Sequence, residues 1–169
     1  MTALLMLLIS DCGPLALPSA PEVIEPNYTN DSLGLSMWYP EDWQHQGEGE
    51  QVTFVPSEEI LRMEHKSGAL MCVGRLSLEE QSLEEWYGDE NPFQSSDGWE
   101  FGDPTPHTIG DQRGFIVTFE GTDVEGFWAA AEYEGWRYAF FAMSALDGWS
   151  EYGPDLERML NSIRFIKRG

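Results

Sequence analysis

The chain has 169 residues, 41% hydrophobic and 13% aromatic, enough to bury one sizeable core in a single domain. Nine Lys plus Arg stand against thirty Asp plus Glu, a formal charge of -21. That field repels phosphate backbones and anionic lipid headgroups, so nucleic acid is excluded as an expected partner, and a cationic partner or a divalent ion is favoured.

In chain order, Met1 to Ile9 is apolar apart from Thr2, too short to span a bilayer but the length of the hydrophobic part of a secretion signal. Ser10-Asp11-Cys12-Gly13 follows, then a stretch with four prolines from Pro14 to Pro26. An apolar run ending in one Cys and a Pro-rich tether resembles the signal and lipobox of bacterial lipoproteins. The resemblance implies that Cys12 is the lipidated residue, that membrane contact runs only through that anchor, and that the protein is extracytoplasmic or secreted. Asp11 stands where that family carries a small residue, and no Lys or Arg precedes the run. The expected division is a signal-like segment over 1–12, a tether over 13–27 and a folded domain over 28–169. Cys72 sits in an apolar run, Ala69 to Val73, and reads as a small core residue; a disulfide with Cys12 is the alternative outside the cytoplasm.

Leu33 to Tyr39 alternates in bulk and predicts a strand that Pro40 must stop, because proline removes a backbone donor and holds Tyr39 extended. Trp43 can then fold back, so Trp38, Tyr39 and Trp43 read as a core clasp rather than an aromatic cradle. Strands are predicted over Gln51 to Val55 and Ala69 to Leu76. Ser77 with Glu80, and Ser82 with Glu85, are nested capping-box patterns announcing a short acidic helix that ends by Tyr87-Gly88. Asp89 to Pro106 reads as irregular. Gln112 to Glu120, Val124 to Tyr133 and Trp136 to Ala145 are three apolar runs joined by short Gly-bearing turns, which demands an antiparallel β-meander. Phe115, Val117 and Phe119 share one face of the first run, and Phe127, Ala129, Ala131 and Tyr133 one face of the second. Both faces of the third are bulky, which places it centrally. Leu156, Met159, Leu160 and Ile163 recur at helical spacing after Pro154, which is read in the first turn of a covering helix. Ile163 to Ile166 could rejoin the sheet.

This order resembles the PsbP-like superfamily, which includes PsbP and DcrB-like proteins. The residues that carry the likeness are "YTNDSLGLSMWYPEDW" (Tyr28 to Trp43), the "SLEEW" helix, the meander and "LERMLNSIRF" (Leu156 to Phe165). It implies an α+β fold, an α/β/α sandwich with a central antiparallel sheet containing the meander and flanked by helices. It also implies a non-catalytic binding or accessory module, and carries no catalytic residue.

Chemistry is sparse. Gly34-Leu35-Ser36-Met37-Trp38 lacks the last glycine of a nucleophile elbow, and His45, His65 and His107 have no metal-ligand spacing to each other or to a Cys. No phosphate loop and no cofactor motif is present. Leu76 to Gln112 stands out, with ten acidic residues, no Lys or Arg, and interleaved aromatics. Acid beside aromatic can receive a basic protein face by charge complementarity and ring contact, so the expected partner-binding residues are Trp86, Tyr87, Asp89, Glu90, Phe93 and Trp99. The competing reading is that these rings pack inward over wetted carboxylates. A monomer docking an unidentified, basic protein partner is the leading expectation. An extracytoplasmic hydrolase with a dispersed site around His107 or His65, and a divalent-metal module, are the alternatives.

Overall fold

A computed structural model of the chain describes residues 24–47, 49–57, 68–77, 82–90 and 98–167, with backbone alone at 84 and 88–90. The elements are β1 (Tyr28–Asn30), β2 (Leu35–Met37), β3 (Gln44–Gln46), β4 (Gln51–Val55), β5 (Ala69–Ser77), α1 (Leu83–Glu90), β6 (Trp99–Phe101), β7 (Thr105–Ile109), β8 (Gln112–Gly121), β9 (Val124–Tyr133), β10 (Trp136–Ala145), α2 (Trp149–Asn161) and β11 (Arg164–Phe165). Most strands join one sheet of order β3-β4-β5-β10-β9-β8-β6, with β7 also on β8; β1, β2 and β11 form a smaller sheet. All these pairings are antiparallel.

The meander is present as read. Glu134 and Gly135 both take positive φ, 47° and 78°, between paired Tyr133 and Trp136, the backbone of a type I′ hairpin whose twist matches its strands. Gly110 and Asp111 repeat it, at 53° and 63°, between β7 and β8. β10 lies between β5 and β9, the central strand that its two bulky faces require.

The two faces of the main sheet bury different sets. One carries Met71, Val73, Phe127, Ala129, Ala131, Tyr138 and Phe140 against Leu156, Met159, Leu160 and Ile163, none more than 2% exposed. Each of those four C-terminal side chains contributes about 1.5–3 kcal/mol of burial before entropy. The small sheet shares this core through Leu35 and Met37. Its seam is pinned where Tyr138 donates its hydroxyl to Leu33 O at 2.8 Å and Phe165 packs on the Tyr133 ring at 5.0 Å. The opposite face carries Phe115, Val117, Trp128 and Ala130, covered by Trp86 of α1.

Several boundaries differ from the sequence reading for local hydrogen-bonding reasons. β2 is shorter than Leu33 to Tyr39. At its start, Leu33 N–H donates to Asn30 Oδ1 (2.9 Å) and Gly34, at φ 78°, donates to Asn30 O (2.8 Å), so both belong to the turn. At its end Trp38 N–H leaves the ladder for Ser162 Oγ at 2.8 Å. Trp43 does fold back: it is buried, its N–H donates to Pro40 O (3.0 Å), and its ring meets Tyr152 edge-on. Of the two capping boxes only the second opens the helix, since Ser77 ends β5; Ser82 N–H donates to Glu85 Oε2 (2.9 Å) and Glu85 N–H to Ser82 Oγ (3.2 Å). α1 runs on to Glu90. β6 and β7 occupy part of the stretch read as irregular. α2 begins at Trp149, so Pro154 is inside it rather than in its first turn, unable to donate to Ser150 four residues back. Cys72 is half-buried on the face away from Met71 and Val73, with Thr53 Oγ1 3.3 Å from its sulfur; burial raises its thiol pKa and the hydrogen bond opposes that.

Candidate binding face

The acidic and aromatic segment folds over the second face of the main sheet. The capping box fixes where α1 starts, and the hydrogen bonds from Ser82 hold the Glu85 carboxyl below its ordinary pKa, the backbone N–H contributing most. From that start, Trp86 and Tyr87 fall on the sheet-facing side. Trp86, 7% exposed, meets the Trp128 ring at 5.1 Å, and Tyr87 stacks on the same ring at 5.2 Å. Beneath Trp86 lies the buried Arg137 guanidinium, 4.8 Å from the ring centre; its Nε–H and Nη2–H both donate to Glu132 Oε1, at 3.1 and 2.7 Å. A cation is affordable there because ring and carboxylate together replace its water.

Further along the sheet Trp99 stacks on Phe119 (4.8 Å, 11°), and Phe119 on Phe141 (5.4 Å, 2°). Phe101 leans on Phe119 at 5.5 Å. The two aromatic groups therefore cover β8, β9 and β10 from α1 and β6.

Of the six sequence-predicted partner residues, Trp86 lies under this face as part of its core, while Tyr87 and Trp99 are half-buried at its surface. The Asp89 and Glu90 side chains, Phe93, and the anchor residue Cys12 lie outside the described residues. Sequence reasoning missed a pocket of about 130 Å³ beside Tyr87, lined by Pro104, Pro106, Arg113, Gly114 and Phe115. The signal for it was the Gly110-Asp111 pair, which turns β7 back along β8 and sets the two prolines against Phe115. Gly114 has no room for a side chain, since a Cβ would sit 2.1 Å from Ala130 O.

His107 Nε2 lies 3.2 Å from an amide oxygen, Asn161 Oδ1, rather than from a carboxylate and hydroxyl pair. His45 packs its ring against Tyr28 at 4.9 Å, and His65 lies outside the described residues. Among the described residues no group of three His, Cys, Asp or Glu side chains is placed to hold a metal ion. Among them also, no helix is long and apolar enough to cross a membrane.

No protein-family model and no curated protein sequence matches the chain. Solved structures do. Cyanobacterial PsbP (CyanoP) from Synechocystis sp. PCC 6803 superposes with a TM-score of 0.58 at 11% identity, over 82% of this chain and 90% of that one. LpqN, involved in cell envelope biogenesis of Mycobacterium tuberculosis, gives 0.57 at 10% identity, over 79% and 83%. PA94 from Pseudomonas aeruginosa gives 0.53 at 11% identity, over 79% and 92%. The chain has the α+β, PsbP-like fold that its sequence resembles. At such identities the likeness is one of fold.

Proposed function

We propose that the protein is an extracytoplasmic, non-catalytic binding or accessory module, lipid-anchored through Cys12, that docks a basic protein partner on the face around α1. The observation that carries this is the juxtaposition of Tyr87, Trp99 and the proline-lined pocket with the exposed Asp103 next to Pro104, on a protein of charge -21. Half-buried rings supply contact area at low entropic cost, and the carboxylates steer and orient a cationic face. Asp89 and Glu90 at the end of α1 extend the acidic rim in this reading, with Phe93 and Trp99 as further ring contacts. Trp86 supports the face from below. The fold shared with CyanoP and LpqN supports an accessory role outside the cytoplasm by analogy.

The test is capture of a lysine-rich peptide by the soluble domain. Replacing Asp89 and Glu90 by Asn and Gln weakens capture several-fold at low salt and much less at high salt, while Tyr87→Ala weakens it at both. Equal affinity of all variants at low salt would remove the docking claim. The intact mass of the protein from the membrane fraction tests the anchor, which requires the mature chain to begin at a modified Cys12.

A further inference from the structure

A second concavity lies away from the α1 face. It is an open cleft of about 720 Å³, lined by Asp31, Gly34, Glu50, Arg75, Ile166 and Lys167. Arg75 is the anomaly in it. The residue is 7% exposed, its guanidinium carbon 3.9 Å above the Trp136 ring, and a single N–H, on Nη2, donates to Glu50 Oε1 at 2.8 Å. Nε and Nη1 are buried with no hydrogen-bond partner. Arg137, the other buried guanidinium among the described residues, gives two donors to its carboxylate. A buried guanidinium with five N–H donors and one filled is under-supplied with acceptors.

Its lone acceptor is also loosely held. The Glu50 side chain is 59% exposed and reaches in from a turn next to Gly49, at φ 68°. The backbone is fixed where Arg75 N–H donates to Glu50 O at 2.9 Å, so the carboxylate can leave without the strand pairing being lost. Glu50 therefore occupies the guanidinium as a tethered carboxylate would, with Nε and Nη1 left without an acceptor. Lys167, exposed on the cleft wall, adds a second positive charge.

We propose that this cleft binds a small zwitterion of the α-amino-acid class, its carboxylate on Arg75 and Lys167 and its ammonium on the Glu50 and Asp31 side. The planar carboxylate matches the guanidinium fork. Among the described residues two cations and two carboxylates line the cleft, which suits a ligand that is itself neutral. A neutral ligand also enters the field of a -21 protein without repulsion, whereas phosphate, with two charges, meets both that field and the wall carboxylates.

The test follows the Arg75 Nε–H resonance in ¹⁵N-labelled full domain, assigned by its proximity to the Trp136 ring. Burial protects that proton from exchange with water. L-Alanine shifts it saturably, acetate does so at least tenfold more weakly, and Lys167→Met weakens the alanine response several-fold. Glu50→Gln, at an exposed position, releases the guanidinium and tightens acetate. An Arg75 resonance that responds to none of these in either the wild type or Glu50→Gln overturns the site. A response to inorganic phosphate equal to that for alanine overturns the zwitterion class. Because Arg75 and Tyr87 belong to separate cavities, loss of peptide docking on α1 leaves this titration unchanged, and the reverse also holds.

Discussion

Trp86→Ala separates a ring that builds the α1 face from one that is offered on it. The indole is 7% exposed, 5.1 Å from Trp128 and 4.8 Å above Arg137. Truncating a buried Trp to Ala costs about 3–5 kcal/mol, and here that includes about 0.5–2 kcal/mol of cation–π contact. For a chain of this size about 2–4 °C of Tm is lost per kcal/mol, so the midpoint falls by about 6–20 °C. Thermal and urea unfolding followed by circular dichroism measures it, with an unchanged urea m-value showing that the native fold is kept. Arg137→Met gives an independent handle. Alone it strands Glu132, but in the Trp86→Ala background it also removes a cation that has lost its cover, so the double variant costs less than the two singles added. A Trp86→Ala loss under about 1 kcal/mol, or strict additivity with Arg137→Met, refutes the packing of α1 on the sheet. Trp86 would then be free to act as a surface anchor.

Two further outcomes follow from single hydrogen bonds. Ser162 Oγ accepts from Trp38 N–H at 2.8 Å and donates to Met159 O at 2.7 Å, joining the end of α2 to the strand region of β2; Ser162→Ala leaves a part-buried donor unmet and costs about 1–3 kcal/mol in urea unfolding, while Thr at that position restores part of it. The Glu85 carboxyl is held below its ordinary value of 4.5 by Ser82, a depressed folded pKa, so its contribution is present above that value and is lost as pH falls through the lower folded one; helical circular dichroism of the wild type declines in that acid range, and Glu85→Gln flattens the decline.

The fold was legible where the pattern of bulk is long and the turns are explicit. Three ten-residue strands with a Glu134-Gly135 hairpin leave little choice of pairing, and the heptad-like spacing from Leu156 to Ile163 leaves little choice of buried side. Short strands were not legible. Gln44–Gln46 is polar and exposed, with nothing alternating to read; it is a strand because β4 offers an edge. β7 hides behind Pro106, which a central strand would exclude and an edge strand tolerates. Pro154 misled for a related reason, since proline marks a first turn only on average, and here Trp149 packs over Gly153 and lets the helix start earlier. At the candidate site the composition singled out the segment and could not apportion its rings. Whether Trp86 or Tyr87 lies deeper depends on where the helix starts, and two successive Ser-to-Glu patterns offered two starts.

The placement of positive charge ties the two cavities together. Three described guanidiniums are spent on rings, Arg75 on Trp136, Arg137 on Trp86 and Arg158 on Trp38, and so add little to the exterior field. The described cations that remain exposed each line a concavity: Arg113 the pocket beside Tyr87, Lys167 the cleft below Arg75, and Arg164 a cavity of about 320 Å³ with Asn161 and Asp111. Among the described residues, the exposed cations therefore lie at hollows. On the proposed function, a cationic partner would be attracted by this field and oriented by the face that offers rings, whereas a polyanion would be repelled. The zwitterion proposed for the cleft is small enough to enter it and close to neutral outside. On these two proposals, size and net charge would be discriminated before any specific contact is made.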